Sequence, residues 1–297
     1  MTGDLRAYGS LLILALIWGY NWVVIKIATD NADPFSVGAI RSAVGTLCLF
    51  AALIVMRRSL RPTPFWPTIL LGALQTTLFT LFSVIAIATG GAGKTAILVY
   101  TMPFWIVLLA WPVLHERVLP SGWLALGFAA FGLGCVLWPL NAAGGVAPKL
   151  LAVATAIVWA ASAVYGKVLR AEHPTDLLSL TAWQMCYGTV PLVAVAIAGP
   201  RDIHLTAAFV GAIAYVGVAG TALAWLLWMF VLSRLPAGAT GVASLLTPVV
   251  GVLAAWLQLH EGPSALELLG LTCIVAALVV NIWPSVSRAR ASSPTRA

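Results

Sequence analysis

The stretch GKTAILVYTMPFWIVLLAWPVLHE at residues 93–116 occurs a second time, as GATGVASLLTPVVGVLAAWLQLHE at residues 238–261. Aligned without a gap, 10 of the 24 positions are identical. Shared apolar composition explains matching Leu and Ala positions, but not a proline, a tryptophan and a His-Glu pair in register. We therefore predict that the chain is an internal duplication. The informative matches are Gly93/Gly238, Thr95/Thr240, Pro103/Pro248, Trp111/Trp256, His115/His260 and Glu116/Glu261.

The composition of the 297 residues predicts a membrane protein. Hydrophobic residues make up 61% of the chain and charged residues 8%, whereas a soluble domain carries about 25% charged residues. Long apolar runs between short charged breaks predict a chain that crosses the lipid bilayer several times. The formal net charge of +7 is therefore interpreted as charge sorting across a membrane, and no nucleic-acid partner is expected.

Apolar segments of about 20 residues can each cross a bilayer as a helix, and the sequence contains ten of them. Arg and Lys are concentrated on the side of the N-terminus. The positive-inside rule then predicts a multi-pass protein of the inner (plasma) membrane with both termini in the cytoplasm. The predicted spans are 8–28, 34–56, 66–88, 94–113, 119–139, 149–169, 176–198, 206–230, 237–258 and 264–284.

The duplication extends beyond the opening stretch. Each unit contains five helices, and because five is odd the second unit must enter the membrane from the opposite side. Such inverted repeats are typical of secondary transporters, whose substrate site lies near the middle of the membrane between the repeats. We predict a first repeat at 1–140, an inverted second repeat at 146–284 and a disordered, basic cytoplasmic tail at 285–297. Further matches at equal spacing are Trp18/Trp159, Lys26/Lys167, Asp33/Asp176, Ser36/Ser179 and Arg41/Gln184, with Gly72/Gly217 and Thr76/Thr221 in a weaker alignment.

The candidate substrate-binding residues combine aromatic rings with small polar groups on shared helix faces. In the first span, Trp18, Asn21 and Trp22 follow the i, i+3, i+4 spacing of one face. Such a face either lines a cavity or packs helices together, because Asn and Ser also hydrogen-bond between helices. Trp225 and Trp228 lie deep in their span, away from the interface where Trp anchors are expected. The full set is Trp18, Asn21, Trp22, Gln75, Phe79, Phe82, Ser83, Tyr100, Trp159, Ser162, Tyr165, Trp183, Trp225, Trp228 and Thr247.

Two prolines and one arginine complete the candidates. Pro103 and Pro248 each remove a backbone donor and free a carbonyl one turn earlier. Proline kinks are common in membrane helices, but two in register favour a hinge or a binding site. Arg41 is the deepest basic residue. It either snorkels or pairs with another helix, or its charge attracts a substrate carboxylate.

Several absences restrict the function. No Asp or Glu lies in the middle of a span, so the usual carboxylate of a proton-coupled antiporter is missing, and we predict facilitated export down a gradient or coupling through other groups. GGAGKT at 90–95 lacks the first glycine of a Walker A loop and joins two apolar helices. The four cysteines lack metal spacing and no cofactor is implied. An intramembrane enzyme is disfavoured because all four histidines fall at loops. Glu116 and Glu261 are expected to anchor loops or to cap the next helix.

The motifs together resemble a known family. The motifs are WGYNWVVIK in the first span, the Asp-Pro and Arg of the second span, and the Pro and His-Glu of the fourth span. Partial copies of them occur in spans six, seven and nine. Over nearly the whole chain, to about residue 284, this pattern resembles the EamA type of the drug/metabolite transporter (DMT) superfamily, and the aromatic lining is similar to YddG-type amino-acid exporters. The resemblance implies a ten-helix inverted-repeat carrier whose spans 1, 3, 4, 6, 8 and 9 line a central cavity.

The sequence therefore predicts an all-α integral membrane protein that exports aromatic or broadly apolar amino acids by alternating access. Aromatic walls would hold the apolar side chain, and polar groups would orient the amino and carboxyl ends. Export of drugs or other small metabolites is the alternative within the same class. Apart from the substrate and the lipid bilayer, no obligatory protein partner is implied.

Overall fold

The computed structural model describes residues 2–115, 120–138, 145–200, 202–235 and 237–291. These residues are almost wholly helical, and among them the nearest approach to a strand is an isolated bridge between Ala32 and Ile203. Two segments, π1 and π2, have π-helical hydrogen bonding. The elements are α1 (Thr2–Thr29), α2 (Pro34–Val55), α3 (Phe65–Gly72), π1 (Ala73–Leu78), α4 (Phe79–Gly90), α5 (Ala92–Val99), α6 (Met102–Leu114), α7 (Pro120–Leu137), α8 (Val146–Glu172), α9 (Leu177–Ala198), α10 (Ala207–Ala214), π2 (Tyr215–Leu223), α11 (Ala224–Arg234), α12 (Ala237–Leu259) and α13 (Ala265–Ala291).

The described residues of the ten apolar segments are almost entirely helical, which confirms the all-helical prediction. Within the described residues, eight helical segments are long and apolar enough to cross a membrane. Two shorter apolar segments, Leu246–Leu259 and Ala265–Val280, lie in α12 and α13. Helix α13 continues to Ala291, past residue 285 where the tail is predicted to begin, and residues 292–297 lie outside the described part of the chain.

Matching aspartates start two of the helices. The Asp33 carboxylate accepts hydrogen bonds from the backbone N–H groups of Phe35 and Ser36, each at 3.0 Å, at the start of α2. The Asp176 carboxylate accepts one from Ser179 N–H at 3.1 Å, at the start of α9. Each side chain satisfies N–H groups that have no partner inside the helix, which stabilises a helix by about 1 kcal/mol. The repeated aspartates are therefore helix caps.

Two glycine contacts join the halves of the chain reciprocally. Gly72, at the end of α3, lies so close to α9 that a Cβ atom there would overlap the Gln184 carbonyl oxygen, and it would lie 3.0 Å from Gly188 N. A Cβ atom at Gly217, in π2, would overlap the Val44 side chain in α2, and it would lie 3.6 Å from Gly45 N. Small residues allow this approach between membrane helices. Each half thus packs its third span on the second span of the other half.

The π-helical segments occupy matching positions in the two halves. The segment π1 follows Gly72 directly, and π2 contains the matching Gly217. At the end of π2 the Ala224 N–H donates to the Ala219 carbonyl, five residues earlier. Such i→i+5 turns are uncommon and are frequent at functional sites. Their shared position marks the middle of both spans as a place to look for a site.

The two copies of the opening stretch differ in their backbone. In the first copy, α5 ends at Val99 and α6 begins at Met102, so the helix is interrupted where the sequence predicts a break. Pro103 lies in the first turn of α6. In the second copy, α12 runs without interruption and contains Pro248 in its interior. A proline at the same position therefore has two structural outcomes.

A threonine hydroxyl bonds the backbone at the interruption. The Thr101 hydroxyl donates to the Leu98 carbonyl at 2.6 Å, and the Trp105 indole N–H donates to the Thr101 oxygen at 3.1 Å. In a continuous helix the Leu98 carbonyl would accept from Met102 N–H, so the hydroxyl competes with the helical bond. The second copy has Leu246 at this position, which has no hydroxyl. The same kind of hydroxyl bond lies inside continuous helices at Ser83 and Ser162, so at Thr101 it acts together with the N–H that Pro103 lacks.

The first residue of each His-Glu pair ends a helix. His115 follows α6 with φ 52°, and His260 follows α12 with φ 56°. This left-handed backbone is a common way to terminate a helix, although glycine is the usual residue there. Glu116 lies outside the described residues. The repeated histidines therefore adopt matching helix-ending conformations.

The second His-Glu pair also contacts the first half of the chain. The Glu261 carboxylate accepts a hydrogen bond from Gly93 N–H at 3.1 Å, in the first turn of α5. Capping of the next helix, α13, is done by Ser264 and Glu267, which bond each other's side chains and N–H groups at 2.8 and 3.3 Å. Of the two roles expected for Glu261, capping of the next helix is therefore wrong, and the carboxylate instead bonds the start of α5 beside the loop at 90–95. The GGAGKT turn at 90–95 therefore binds the carboxylate of Glu261, a residue of the same chain.

Candidate functional site

One cavity is formed where the two halves of the chain meet. It encloses about 960 Å³ of empty space, including the part that opens to solvent. Its walls come from α1, α2, π1, α4, α5, α6, α8, α9, π2 and α11. The lining residues are Trp18, Asn21, Trp22, Ile25, Arg41, Ser42, Gln75, Thr76, Phe79, Thr80, Ser83, Val99, Tyr100, Met102, Trp159, Gln184, Met185, Gly220, Thr221 and Trp225.

Aromatic rings form much of the apolar wall. Phe79 of α4 and Trp159 of α8 pack with ring centroids 4.9 Å apart. Trp22 of α1 meets Tyr100 edge to face at 6.2 Å. Aromatic pairs at these separations attract each other beyond their burial of area, so the wall is a stiff surface. It suits a flat or branched apolar group.

Three polar atoms of the lining are buried and have no hydrogen-bond partner: Asn21 Oδ1, Arg41 Nη1 and Gln184 Nε2. Gln184 is 1% exposed. Its Oε1 accepts a hydrogen bond from the Thr76 hydroxyl at 2.9 Å, which leaves the amide N–H₂ as the free end. Buried polar atoms almost always have partners. In this conformation these three atoms have no partner among the described residues.

Residues that the sequence repeat aligns come together at this cavity. Each aligned pair contributes one residue from the first half and one from the second half of the chain. The pairs differ in chemistry, since one is aromatic, one combines a cation with an amide, and one consists of hydroxyl groups. They are Trp18/Trp159, Arg41/Gln184 and Thr76/Thr221.

The structure brings most of the predicted site residues together. Two further candidates contact the lining from behind: the Trp228 ring lies 5.9 Å from the Trp18 ring, and the Thr247 side chain hydrogen-bonds Tyr100. Neither proline lines the cavity, although Pro103 follows a residue that does. The predicted residues that line it are Trp18, Asn21, Trp22, Arg41, Gln75, Phe79, Ser83, Tyr100, Trp159 and Trp225.

Four other candidates lie away from the lining. The Ser162 hydroxyl donates to a carbonyl of its own helix at 2.7 Å. The Tyr165 hydroxyl donates to a carbonyl of α3 at 3.2 Å, and Trp183 packs edge-on against a phenylalanine of α2 at 5.1 Å. Phe82 is half-buried outside the lining. Successive residues of a helix are about 100° apart around its axis. Tyr165, six residues after Trp159, therefore lies on a different face of α8.

About half of the residues that line the cavity were not predicted from the sequence. Gln184, Thr76 and Thr221 were found as repeat matches but not as site residues, although their alignment with each other or with Arg41 was the available signal. The remaining residues are mostly apolar or small, and apart from Ile25, which continues the face of Trp18 at i+7, they carry no local signal. They are Ile25, Ser42, Thr80, Val99, Met102, Met185 and Gly220.

The electrostatic character of the cavity is simple. Arg41 is the one charged side chain among the described residues that line it, and none of those residues is Asp or Glu. Elsewhere in the described ranges, no three His, Cys, Asp or Glu side chains are placed to hold a metal ion. The cavity can therefore offer aromatic contact, neutral hydrogen bonds and one positive charge.

Long apolar helices around an aromatic cavity define the class of multi-span membrane transporters. The model of the EamA-like transporter family matches residues 5–138 and, a second time, residues 148–283. The chain belongs to the EamA-like transporter family, within the DMT superfamily. This confirms the family that the sequence motifs predict.

Curated relatives are full-length and distant. The uncharacterized transporter YvbV of Bacillus subtilis (strain 168) is 29% identical, covering 95% of this chain and 93% of that protein. The uncharacterized transporter YoaV of the same organism is 25% identical, covering 92% and 96%. A "Probable amino-acid metabolite efflux pump" of Escherichia coli (strain K12) is 24% identical, covering 92% and 93%. These relatives are described as transporters or pumps, in agreement with a transporter and not an enzyme.

A solved structure supports the fold. The crystal structure of a protein matches 97% of this chain and 99% of its own chain with a TM-score of 0.68, at 19% identity. At this identity the likeness concerns the fold alone. The arrangement of the helices therefore recurs in a protein studied by crystallography.

Proposed function

We propose that the protein exports amino acids with aromatic or broadly apolar side chains by alternating access. In this proposal ten helices cross the plasma (inner) membrane as two inverted five-helix repeats, 1–140 and 146–284, and both termini lie in the cytoplasm. The halves rock against each other and open the cavity to one face of the membrane at a time.

The observation that carries the proposal is the convergence of repeat-related residues on one cavity. Carriers built from inverted repeats bind substrate at the repeat interface, and this cavity takes residues from both halves at aligned positions, as Trp18 and Trp159 illustrate. The reciprocal glycine contacts support the same symmetry.

The substrate class follows from the wall and from the relatives. Aromatic rings suit an apolar side chain, and free polar atoms suit the polar ends of an amino acid. Relatives in Escherichia coli and Salmonella typhimurium bear the name "Probable amino-acid metabolite efflux pump". Such a wall discriminates modestly, because one methylene group in an apolar pocket changes binding by about 1–3 kcal/mol. We expect a range of apolar amino acids to be accepted.

Counterflow tests the transport proposal directly. Liposomes bearing the purified protein and loaded with an unlabelled amino acid should take up the labelled one, with aromatic and large aliphatic amino acids faster than Asp, Lys or Gly. Protein-free liposomes are the control. Uptake of none of the amino acids, together with exchange of unrelated apolar compounds, would replace the amino-acid proposal by the alternative of a drug or metabolite exporter.

Cysteine labelling tests the topology. His204 and Arg58 are solvent-exposed, at 69% and 55% of the side chain, and the proposal places them on opposite sides of the membrane. An impermeant maleimide should label His204→Cys in intact cells and Arg58→Cys only after permeabilisation. The same pattern should hold in a background without the four native cysteines. Labelling of both from outside would contradict the inverted arrangement.

A further inference from the structure

Arg41 is an unpaired cation inside the cavity. Its Nη1 is buried without a hydrogen-bond partner, and no carboxylate of the described residues forms an ion pair with it. A charge at membrane depth is costly unless it is paired, and such residues mark functional sites by default. A guanidinium also presents a fork of N–H groups that matches the two oxygens of a carboxylate. The structure therefore holds a cation that lacks its anion.

Gln184 adds a neutral donor to the same cavity. Its Oε1 is occupied by the Thr76 hydroxyl at 2.9 Å, so its Nε2, which is buried and unpartnered, is the atom left for a ligand. Asn21 contributes the opposite chemistry, because its Oδ1 is an unpartnered acceptor. The cavity thus presents a charged donor, a neutral donor and a neutral acceptor.

We propose that Arg41 and Gln184 bind the carboxylate of the substrate, and that the carrier selects apolar carboxylates by this group and does not select for an ammonium group. The inference rests on the proposed function, since it takes the cavity as the transport site. An ammonium group would find the neutral acceptor of Asn21 but no carboxylate among the described lining residues. N-acyl and 2-oxo derivatives of apolar amino acids are therefore substrates as good as the amino acids.

The balance of charge supports this selectivity. With a monoanion bound, the cation of Arg41 is neutralised and the loaded cavity carries no net charge. With a zwitterionic amino acid bound, one positive charge remains uncompensated. Closing a cavity excludes water, and an uncompensated charge costs more in the drier environment. The neutral complex is therefore the one that closes more readily.

Three related ligands separate the roles of the groups: phenylalanine, N-acetylphenylalanine and the neutral N-acetylphenylalanine amide. Binding is measured as thermal stabilisation of the purified full-length protein in detergent, and transport as counterflow in liposomes. N-acetylphenylalanine should bind at least as tightly as phenylalanine. The neutral amide should bind at least tenfold more weakly than the acid.

Variants assign this preference to the site. Arg41→Gln, which copies the residue of the second repeat, should remove the tenfold difference between acid and amide, whereas Arg41→Lys should retain most of it. Gln184→Leu, which keeps the guanidinium, should reduce the difference between acid and amide binding by three- to tenfold. It replaces Arg41→Gln as the test if that variant does not fold. Equal binding of acid and amide to the unaltered protein, or an undiminished difference in Arg41→Gln or in Gln184→Leu, overturns the carboxylate subsite.

Failure of this inference is distinguishable from failure of the transport proposal. If phenylalanine exchanges in liposomes but acid and amide bind alike, the subsite is wrong and the transport proposal stands. If the acid binds in an Arg41-dependent manner but no ligand exchanges, the subsite stands and the transport proposal fails.

Discussion

The two copies of the opening stretch share 10 of 24 residues but differ in shape. The first is divided into α5 and α6, whereas the second is the continuous helix α12. Because proline is present in both, it does not by itself break the helix here. The difference lies two residues before the proline, where Thr101 bonds the Leu98 carbonyl and Leu246 has no hydroxyl to do so.

The broken copy also lies closer to the cavity. Val99, Tyr100 and Met102, at and beside the interruption, belong to the lining. In the continuous copy, Thr247 does not belong to the lining and contacts Tyr100, which does. We infer a division of labour, in which the first copy presents groups to the substrate and the second bends. Four experiments test this difference between the copies.

The largest effect is expected from exchanging the prolines. Pro248 lies in a helix interior, where it removes a backbone bond and favours bending, so Pro248→Ala should stiffen α12 and slow counterflow about tenfold. Pro103 lies in the first turn of α6, where its missing N–H has no intrahelical partner. Pro103→Ala should therefore leave the rate within about twofold. Equal slowing by both substitutions would mean that both copies bend, as the sequence alone suggests.

The next effect concerns the contact that ties the copies together. Glu261→Ala leaves the buried Gly93 N–H in the first turn of α5 without its acceptor, which should lower the free energy of unfolding by about 2 kcal/mol. Thermal unfolding in detergent measures this loss. Glu261→Gln keeps an acceptor oxygen and should lose less than half as much. An unchanged melting temperature in Glu261→Ala would argue that the carboxylate does not hold the helix.

A smaller, local effect is expected at the interruption. Thr101→Val keeps the shape and removes the hydroxyl, so the Leu98 carbonyl becomes available to Met102 N–H. Hydrogen exchange of the amides around Met102 should slow about fivefold, corresponding to about 1 kcal/mol. Leu246→Thr should speed exchange in α12, with Leu246→Val as the branched control. If both threonine and valine at 246 behave alike, side-chain competition is not the cause of the break.

The smallest effect, near zero, concerns an imposed pH gradient. Neither copy contains Asp or Glu before its His-Glu pair, and the described lining contains none. Amino-acid flux should therefore have initial rates within about twofold with and without a gradient. A dependence of fivefold or more would show that protons are coupled to transport through another group.

The fold was predictable because the bilayer imposes a simple rule. Apolar runs of about 20 residues must become helices, since lipid offers no partner to the backbone. The repeated aspartates, Asp33 and Asp176, were visible as markers before they were known as caps. Half of the lining was predictable for a similar reason, as aromatic and polar residues at helical spacing define a face, for example Trp18, Asn21 and Trp22.

The rest depended on contacts between distant parts of the chain. Glu261 bonds a residue 168 positions away, and no local pattern distinguishes this from a cap on the next helix. Gln184 was noticed as a departure from Arg41, yet only the fold shows that the two line one cavity. Ser162 and Tyr165 share the composition of a lining face, but helix rotation takes them toward their own helix and toward α3.

The reciprocal glycine contacts have a consequence for how such a chain can be exchanged or rebuilt. Gly72 packs against Gly188, and Gly217 packs beside Gly45. The second span of each half therefore has a surface shaped to fit the third span of the other half. A hybrid that joins one half to the counterpart from a relative about 25% identical would bring together surfaces shaped on different partners. Transferring the second and third spans of both halves together keeps each glycine with the helix surface that it packs against. The unit to exchange between relatives is therefore this set of four spans, and not one half of the chain.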